Sequence, residues 1–270
     1  MNASTLSLRE AEAQRWDVIV VGAGHNGLVS ALVLARAGLR VLVVEGKAVL
    51  GGAVRTERPF AKAPNLSTST GAYLLGLMQP ELLARLGLEL PLLRRDPHYF
   101  LPTTGSRYLL FGSDRISLER QFREFFSERD LLANQALEAE IAAMRDDIAP
   151  TWLAEPFSIE ETAERFVRPA LRAAFVRLCR GSVGEYLDRF GFQSDLVKAM
   201  YAVTDGFSGL FGTWDTPGTG MNFLVHNMCR LPGSGGTWMI VRGGMGTVTR
   251  TLADALVAAG GQLVASTPVE

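Results

Sequence analysis

The sequence predicts an α/β chain: a Rossmann-like βαβ unit with a mostly helical lobe inserted into it. Three observations carry that expectation. A β-branched run, Asp17 to Val21, leads straight into Gly22-Ala23-Gly24-His25-Asn26-Gly27. That glycine pattern opens a stretch of small and apolar residues, Leu28, Leu32, Leu34 and Ala35, that suits a helix. A second β-branched run, Arg40 to Val44, then closes on Glu45, about 20 positions beyond Gly24. Strand, glycine turn, helix, strand and terminal acid in that order is the pattern that cradles a dinucleotide.

Taken in chain order, residues 1–15 mix two arginines and two glutamates with scattered Leu and Ala, so they lack the apolar centre of a secretory signal. They read as a flexible, solvated extension. Residues 16–61 form the first nucleotide-binding segment. Its first strand is expected to be buried on both faces, and its helix to end at Gly38. The most apolar stretch, Leu28 to Val44, is interrupted by Arg36, Gly38 and Arg40 and cannot cross ~30 Å of hydrocarbon as one helix.

Residues 62–231 read as the inserted substrate lobe. Arg107 to Phe111 suits a strand, and Leu137, Ile141, Met144 and Ile148 recur along one helix face. Ser127 with Asp130, Ser158 with Glu161 and Ser182 with Glu185 carry the spacing of capped helix starts. Residues 232–270 return to the nucleotide-binding domain. They run through a loop at Pro232–Gly236, a strand at Trp238–Val241, a turn at Gly243–Gly246, a helix through Val248, Leu252, Ala255, Leu256 and Ala259, and a strand at Gln262–Thr267.

Composition narrows the function. Of 270 residues 47% are hydrophobic and 20% charged, with a net charge of -1, the profile of a globular chain. No global basic field exists to drive nucleic-acid binding. Cys179 and Cys229 are far apart and lack metal-ligand spacing, so neither a disulfide scaffold nor a zinc site is expected, and a reducing, cytoplasmic setting fits.

Within the glycine loop each residue type has a physical task. Gly22 permits the tight turn, Gly24 lets the backbone approach a diphosphate, and Gly27 lets helix and strand pack closely. The helix N-terminus offers N–H donors and partial positive charge. A carboxylate at Glu45 suits a ribose diol and repels a 2′-phosphate, which disfavours NADP.

The run Val43 to Thr56, with paired Gly51-Gly52 after the acid, resembles the FAD signature of the phytoene desaturase and amine oxidase superfamily, especially its phytoene-desaturase-like branch. Ala72-Tyr73-Leu74-Leu75, Thr216 to Gly220, Gly236-Thr237-Trp238 and Arg242 to Gly246 extend the resemblance across residues 16–270. The resemblance implies FAD as cofactor rather than NAD. It implies that Gly22, Ala23, Gly24, His25, Asn26 and Gly27 hold the diphosphate and Glu45 the adenosine ribose. It implies further that Gly51, Gly52, Ala53, Arg55 and Thr56 run along the cofactor toward the flavin, that Gly46 and Lys47 belong to the cofactor site, and that the backbone of Val269 meets the adenine. The family commonly carries arginine where Lys47 stands, which leaves Lys47 between a phosphate contact and a solvated loop charge.

The implied activity is hydride transfer from a C–H of a lipophilic small molecule to flavin N5. Family members carry a second half that returns to the sheet, so this chain is expected to be an N-terminal half with an incomplete sheet. A homo-oligomer or a complementing C-terminal half is the expected partner, and a non-catalytic nucleotide-binding or regulatory module is the alternative. No catalytic residue can be named: His98 and His226 have no neighbouring partner in sequence. Arg165, Arg168, Arg172, Arg177 and Arg180 suit a solvated helix face, with peripheral membrane contact as the alternative. Phe207, Leu210, Phe211 and Trp214 suit ordinary core, with a substrate channel as the alternative.

Overall fold

The computed structural model describes residues 6–207 and 211–270. The chain divides into two compact units, Met1–Leu93 with Met239–Glu270, and Arg94–Trp238. The first holds α1 (Leu8–Glu12), β1 (Val18–Val21), α2 (His25–Arg36), β2 (Val41–Val44), β3 (Thr56–Glu57), β4 (Thr68–Ser69), α3 (Pro80–Arg85) and β5 (Leu92–Leu93). The second holds β6 (Tyr99–Pro102), β7 (Tyr108–Phe111), α4 (Arg115–Phe125), α5 (Glu128–Ile148), α6 (Ile159–Arg165), α7 (Arg172–Arg180), α8 (Val183–Asp188), α9 (Asp195–Tyr201) and α10 (Thr219–His226). Then β8 (Ile240–Val241), α11 (Gly246–Ala258) and β9 (Gln262–Val264) return to the first unit.

The βαβ unit forms as expected. β1, β2 and β9 make a parallel sheet in the order β1-β2-β9, with Val18 opposite Val41, Val21 opposite Val44 and Leu42 opposite Gln262. Leu28, Ala31, Leu32 and Ala35 of α2 and Val248, Leu252 and Leu256 of α11 are buried, and the two helices pack together. Asp17 and Arg40 tie the start of β1 to that of β2: Arg40 Nη2 lies 2.8 Å from Asp17 Oδ1, and the Arg40 N–H donates to Asp17 Oδ2. Those bonds from Arg40 hold the Asp17 carboxyl at about 2.

Two expectations are corrected here. The described part of the extension, residues 6–15, is not a solvated tail. Ser7 and Glu10 cap α1 reciprocally, and Ala11, with Leu6 and Trp16, packs on Leu42, Val44 and Val264. The Leu6 N–H also donates to Leu263 O at 2.8 Å, along β9. Nor is β1 buried on both faces, because Ile19 and Val21 are 57% and 66% exposed. They stand in register with Leu42 and Val44, so the four point to the same face. There α1 covers β2 and β9 and stops short of β1.

The unit boundaries also fall elsewhere than 61/62 and 231/232. Residues 62–93 belong with the nucleotide-binding segments because β4 pairs β3, Leu75 bridges Met239 and β5 pairs β8. Residues 232–238 belong with the helical unit, where Trp238 Nε1 donates to His226 O and Arg95 Nε to Trp238 O.

The helical unit has a large hydrophobic core. Leu137, Ile141, Met144 and Ile148 are buried in it from α5, with Phe122, Leu178, Tyr186 and Phe223. Ser127, Ser158 and Ser182 each accept from the backbone N–H three residues on, and the latter two complete reciprocal caps with Glu161 and Glu185. β6 and β7 form the hairpin beside it. No helix among the described residues is long and apolar enough to cross a membrane.

Docking of α1 is directly testable. Ala11→Asp puts an unpaired carboxylate on Leu42, Val44 and Val264, and is expected to destabilise the chain by ~1–3 kcal/mol in urea unfolding. A change within ~0.5 kcal/mol would return this segment to the role of a solvated tail.

Candidate functional site

Two glycine turns meet at the carboxyl ends of β1 and β2. Gly22 adopts φ +98°, which favours glycine, and its N–H donates to Val44 O at 2.7 Å. Gly27, one turn into α2, has no room for a side chain: a Cβ there would lie 2.1 Å from Gly22 O. Gly24 bridges Gly51, whose N–H donates to Ala23 O at 2.8 Å, and a Cβ on Gly52 would lie 3.3 Å from Gly24 Cα. Gly24 caps α2 with no side-chain bond, and no acid occupies the first turn. The positive end of the helix therefore stays open to an anion, and His25 and Asn26 at that end are exposed. These residues fit a dinucleotide diphosphate.

Glu45 serves as a hub beside this turn. Its Oε2 accepts from Ala23 N at 2.8 Å and its Oε1 from Lys47 N at 2.9 Å, so the acid braces the glycine loop directly. Each oxygen retains capacity for another donor, as a ribose diol would require. The segment after β9 lies against the same turn: Ser266 N donates to Lys47 O, Thr267 N to Glu45 O, and a Cβ on Gly46 would meet Pro268 Cα at 3.5 Å. Val269, next in the chain, is 59% exposed. Glu45, Gly46, Lys47 and the segment leading to Val269 are thus brought together.

Downstream of Gly52 the chain changes partners. Ala53 O accepts from Ala72 N, and Arg55 Nε lies 2.9 Å from Glu57 Oε2. Thr56 Oγ1 accepts from Gly246 N and Ser69 Oγ from Met245 N, both at 2.9 Å. The paired β3 and β4 therefore cap α11 with their hydroxyls. The Gly243–Gly246 turn thus differs from the first glycine loop, because side chains already occupy N–H groups at its helix start.

The helical unit holds titratable groups that sequence spacing did not join. His226 Nδ1 stands 3.9 Å from Asp205 Oδ1, and its ring packs on Trp238. Asp205 lies in a π-helical turn, Ala202–Gly206, and its Oδ2 accepts from Asn227 Nδ2 at 3.1 Å. Burial raises its carboxyl to about 6, against the hydrogen bond from Asn227. His98, half-buried near Phe111, is pushed down to about 4 by loss of solvent and then by Arg95 and Arg94, so it is neutral near pH 7. Its Nδ1 has no hydrogen-bond partner among the described residues.

Carboxylates face most of the arginine stripe. Arg165 meets Glu161, Arg168 meets Asp147, Arg172 meets Glu164 and Arg180 meets Glu160, a neutralised helix surface. Phe207 and Trp214 pack at the margin of the core, whereas Phe211 is exposed. Leu210 lies outside the described residues.

Residues 27–270 match the protein family described as flavin containing amine oxidoreductase. Pyridine nucleotide-disulfide oxidoreductase domain-containing protein 2 of Rattus norvegicus is 31% identical over 277 residues, covering 92% of this chain and 47% of its own length. A limonene dehydrogenase subunit of Castellaniella defragrans is 27% identical, over 93% of this chain and 44% of its own. Among solved structures, cyclohexylamine oxidase from Brevibacterium oxydans shares the fold with a TM-score of 0.56 at 22% identity, covering 95% of this chain and 52% of that one. The chain spans less than half the length of either curated relative.

Two measurements probe these sites. Gly27→Ala forces Gly22 O aside and is expected to destabilise the chain by ~1–3 kcal/mol in thermal unfolding. For Asp205 the native state holds its proton more tightly than the unfolded chain, so its contribution is favourable at low pH and is lost as pH rises from about 3.8 to about 6. Asp205→Asn is therefore expected to stabilise the chain above pH 6, with the gain fading toward pH 4. A pH-independent difference in denaturant midpoint would contradict the raised carboxyl.

Proposed function

The chain belongs to the flavin containing amine oxidoreductase family, and on that premise we propose that it is the nucleotide-binding part of an FAD-dependent oxidoreductase of desaturase or dehydrogenase type. The observation that carries this reading is the contact of the two glycine turns. Gly24, Gly51 and Gly52 bring two backbone segments together beside the open end of α2, leaving a surface that backbone N–H groups can line.

In this reading Gly22 to Gly27 bind the diphosphate and exclude side chains from its approach. Glu45 holds the ribose hydroxyls while bracing Ala23 N and Lys47 N. Lys47, Gly46 and the backbone at Val269 flank the adenosine end, and Gly51 to Thr56 extend toward the flavin end. FAD, when bound, supplies the two-electron acceptor for a hydride leaving a substrate C–H.

A lipophilic substrate is supported by the relative named for limonene and by the family resemblance to phytoene desaturases. The edge of β1, unpaired among the described residues and with Ile19 and Val21 exposed beside it, supports closure of the sheet by a further polypeptide segment or a second copy.

The first test is the visible absorption of the purified chain titrated with FAD, with the nucleotide released on denaturation identified. Stoichiometric FAD is the expected result; a chain that stays colourless and ignores FAD sinks the reading. Substrate-dependent bleaching would exclude a purely nucleotide-binding module. Glu45→Ala removes the acceptor for ribose and for Ala23 N, and is expected to weaken FAD binding about tenfold or more. Unchanged affinity would remove the ribose assignment.

A further inference from the structure

We propose that Glu57 and Thr70 are positioning residues that fix the Arg55 guanidinium for the anionic diphosphate of the cofactor; the proposal deepens the FAD reading above and rests on it.

Arg55 starts from the second glycine turn, since a Cβ on Gly51 would lie 3.2 Å from Arg55 Cβ. Gly51 is bridged to Gly24 at the open end of α2, so the arginine and the helix terminus flank one backbone junction. Glu57 Oε2 lies 2.9 Å from Arg55 Nε and also accepts a short hydrogen bond from the Thr70 hydroxyl. Neither amino nitrogen of Arg55 makes a hydrogen bond among the described residues. A guanidinium is a rigid planar fork with five donors, so an ion pair at Nε leaves the end-on pair of amino N–H groups to meet two phosphate oxygens side by side.

The clamp is itself well anchored. Glu57 is paired with Thr68 in the β3–β4 ladder, and the adjacent pair, Thr56 and Ser69, caps α11. The Glu57 carboxyl is held below the usual range first by the Thr70 hydrogen bond, then by Arg55 and by the charge of Lys47. Glu57 thus stays ionised beside Arg55.

The sign of a substitution separates two roles. By charge alone Glu57 repels a diphosphate, so its removal would tighten binding. As the clamp on Arg55 it favours binding, so its removal weakens it.

The experiment is titration of the full chain with ADP, by calorimetry, and with adenosine, by ligand-observed NMR. Glu57→Ala is expected to weaken ADP about tenfold and Thr70→Val about threefold, with adenosine unchanged. In an Arg55→Ala background, adding Glu57→Ala is expected not to weaken ADP further, because the group it positions is gone and only its repulsion of the diphosphate remains. Tighter or unchanged ADP binding in Glu57→Ala overturns the proposal, as does equal weakening of ADP and adenosine, which would mark a general disturbance of the turn. Thr70→Val checks the clamp from its other side, should Glu57→Ala fold poorly. A wild-type chain that binds FAD while Glu57→Ala binds ADP normally refutes only the positioning role. A wild-type chain that binds neither FAD nor ADP refutes the FAD reading with it.

Discussion

The close approach of two glycine turns is the constraint on which the nucleotide-binding unit depends. Gly27 must lie against Gly22 O and Gly52 against Gly24, and at both places a Cβ on the named glycine would crowd the facing backbone. Once those contacts are made, the rest of the turn is determined. Gly51 N is delivered to Ala23 O, Gly22 N to Val44 O, and Ala23 N to the Glu45 carboxylate. The buried backbone donors at the junction thereby find partners, while the open end of α2 keeps its own donors for a ligand.

A second layer fixes this junction from behind. Thr249 Oγ1 donates to Val54 O, two residues after the paired glycines, and α11 packs on α2. Thr56 and Ser69 hold the start of α11 in turn. The return segment thus works as a brace: its helix start is satisfied by hydroxyls, whereas the start of α2 is left open. Two glycine-rich helix starts in one unit acquire different roles because only one meets side-chain acceptors.

The helical unit follows a different logic. Its hydrophobic core is continuous, and its surface arginines are largely balanced by carboxylates. Asp205 sits in a π-helical turn with Asn227 and His226 as its neighbours. Such turns are often associated with functional sites, and they carry a local cost in regularity. Here Asn222 Nδ2 secures the turn by donating to the carbonyls of Asp205 and Gly206, both at 3.0 Å.

The sequence by itself determined whatever is encoded at short range. The glycine spacing and the acid at Glu45 specified the βαβ unit because strand, turn and helix are consecutive. The stripe Leu137, Ile141, Met144 and Ile148 specified α5 because helical periodicity is a local property. The pair Ser7 and Glu10 also carried a legible capping signal, although the charges around it suggested a solvated tail. Tertiary structure alone decided the rest. Whether β1 is buried depends on where α1 stops, and the placement of residues 62–93 depends on two-residue ladders to β3 and β8 that leave no periodic trace. The meeting of Asp205 with His226 likewise joins residues on separate elements. The physical reason is the same in each case: these contacts are long in sequence and short in space, and only folding supplies the partner that makes them favourable.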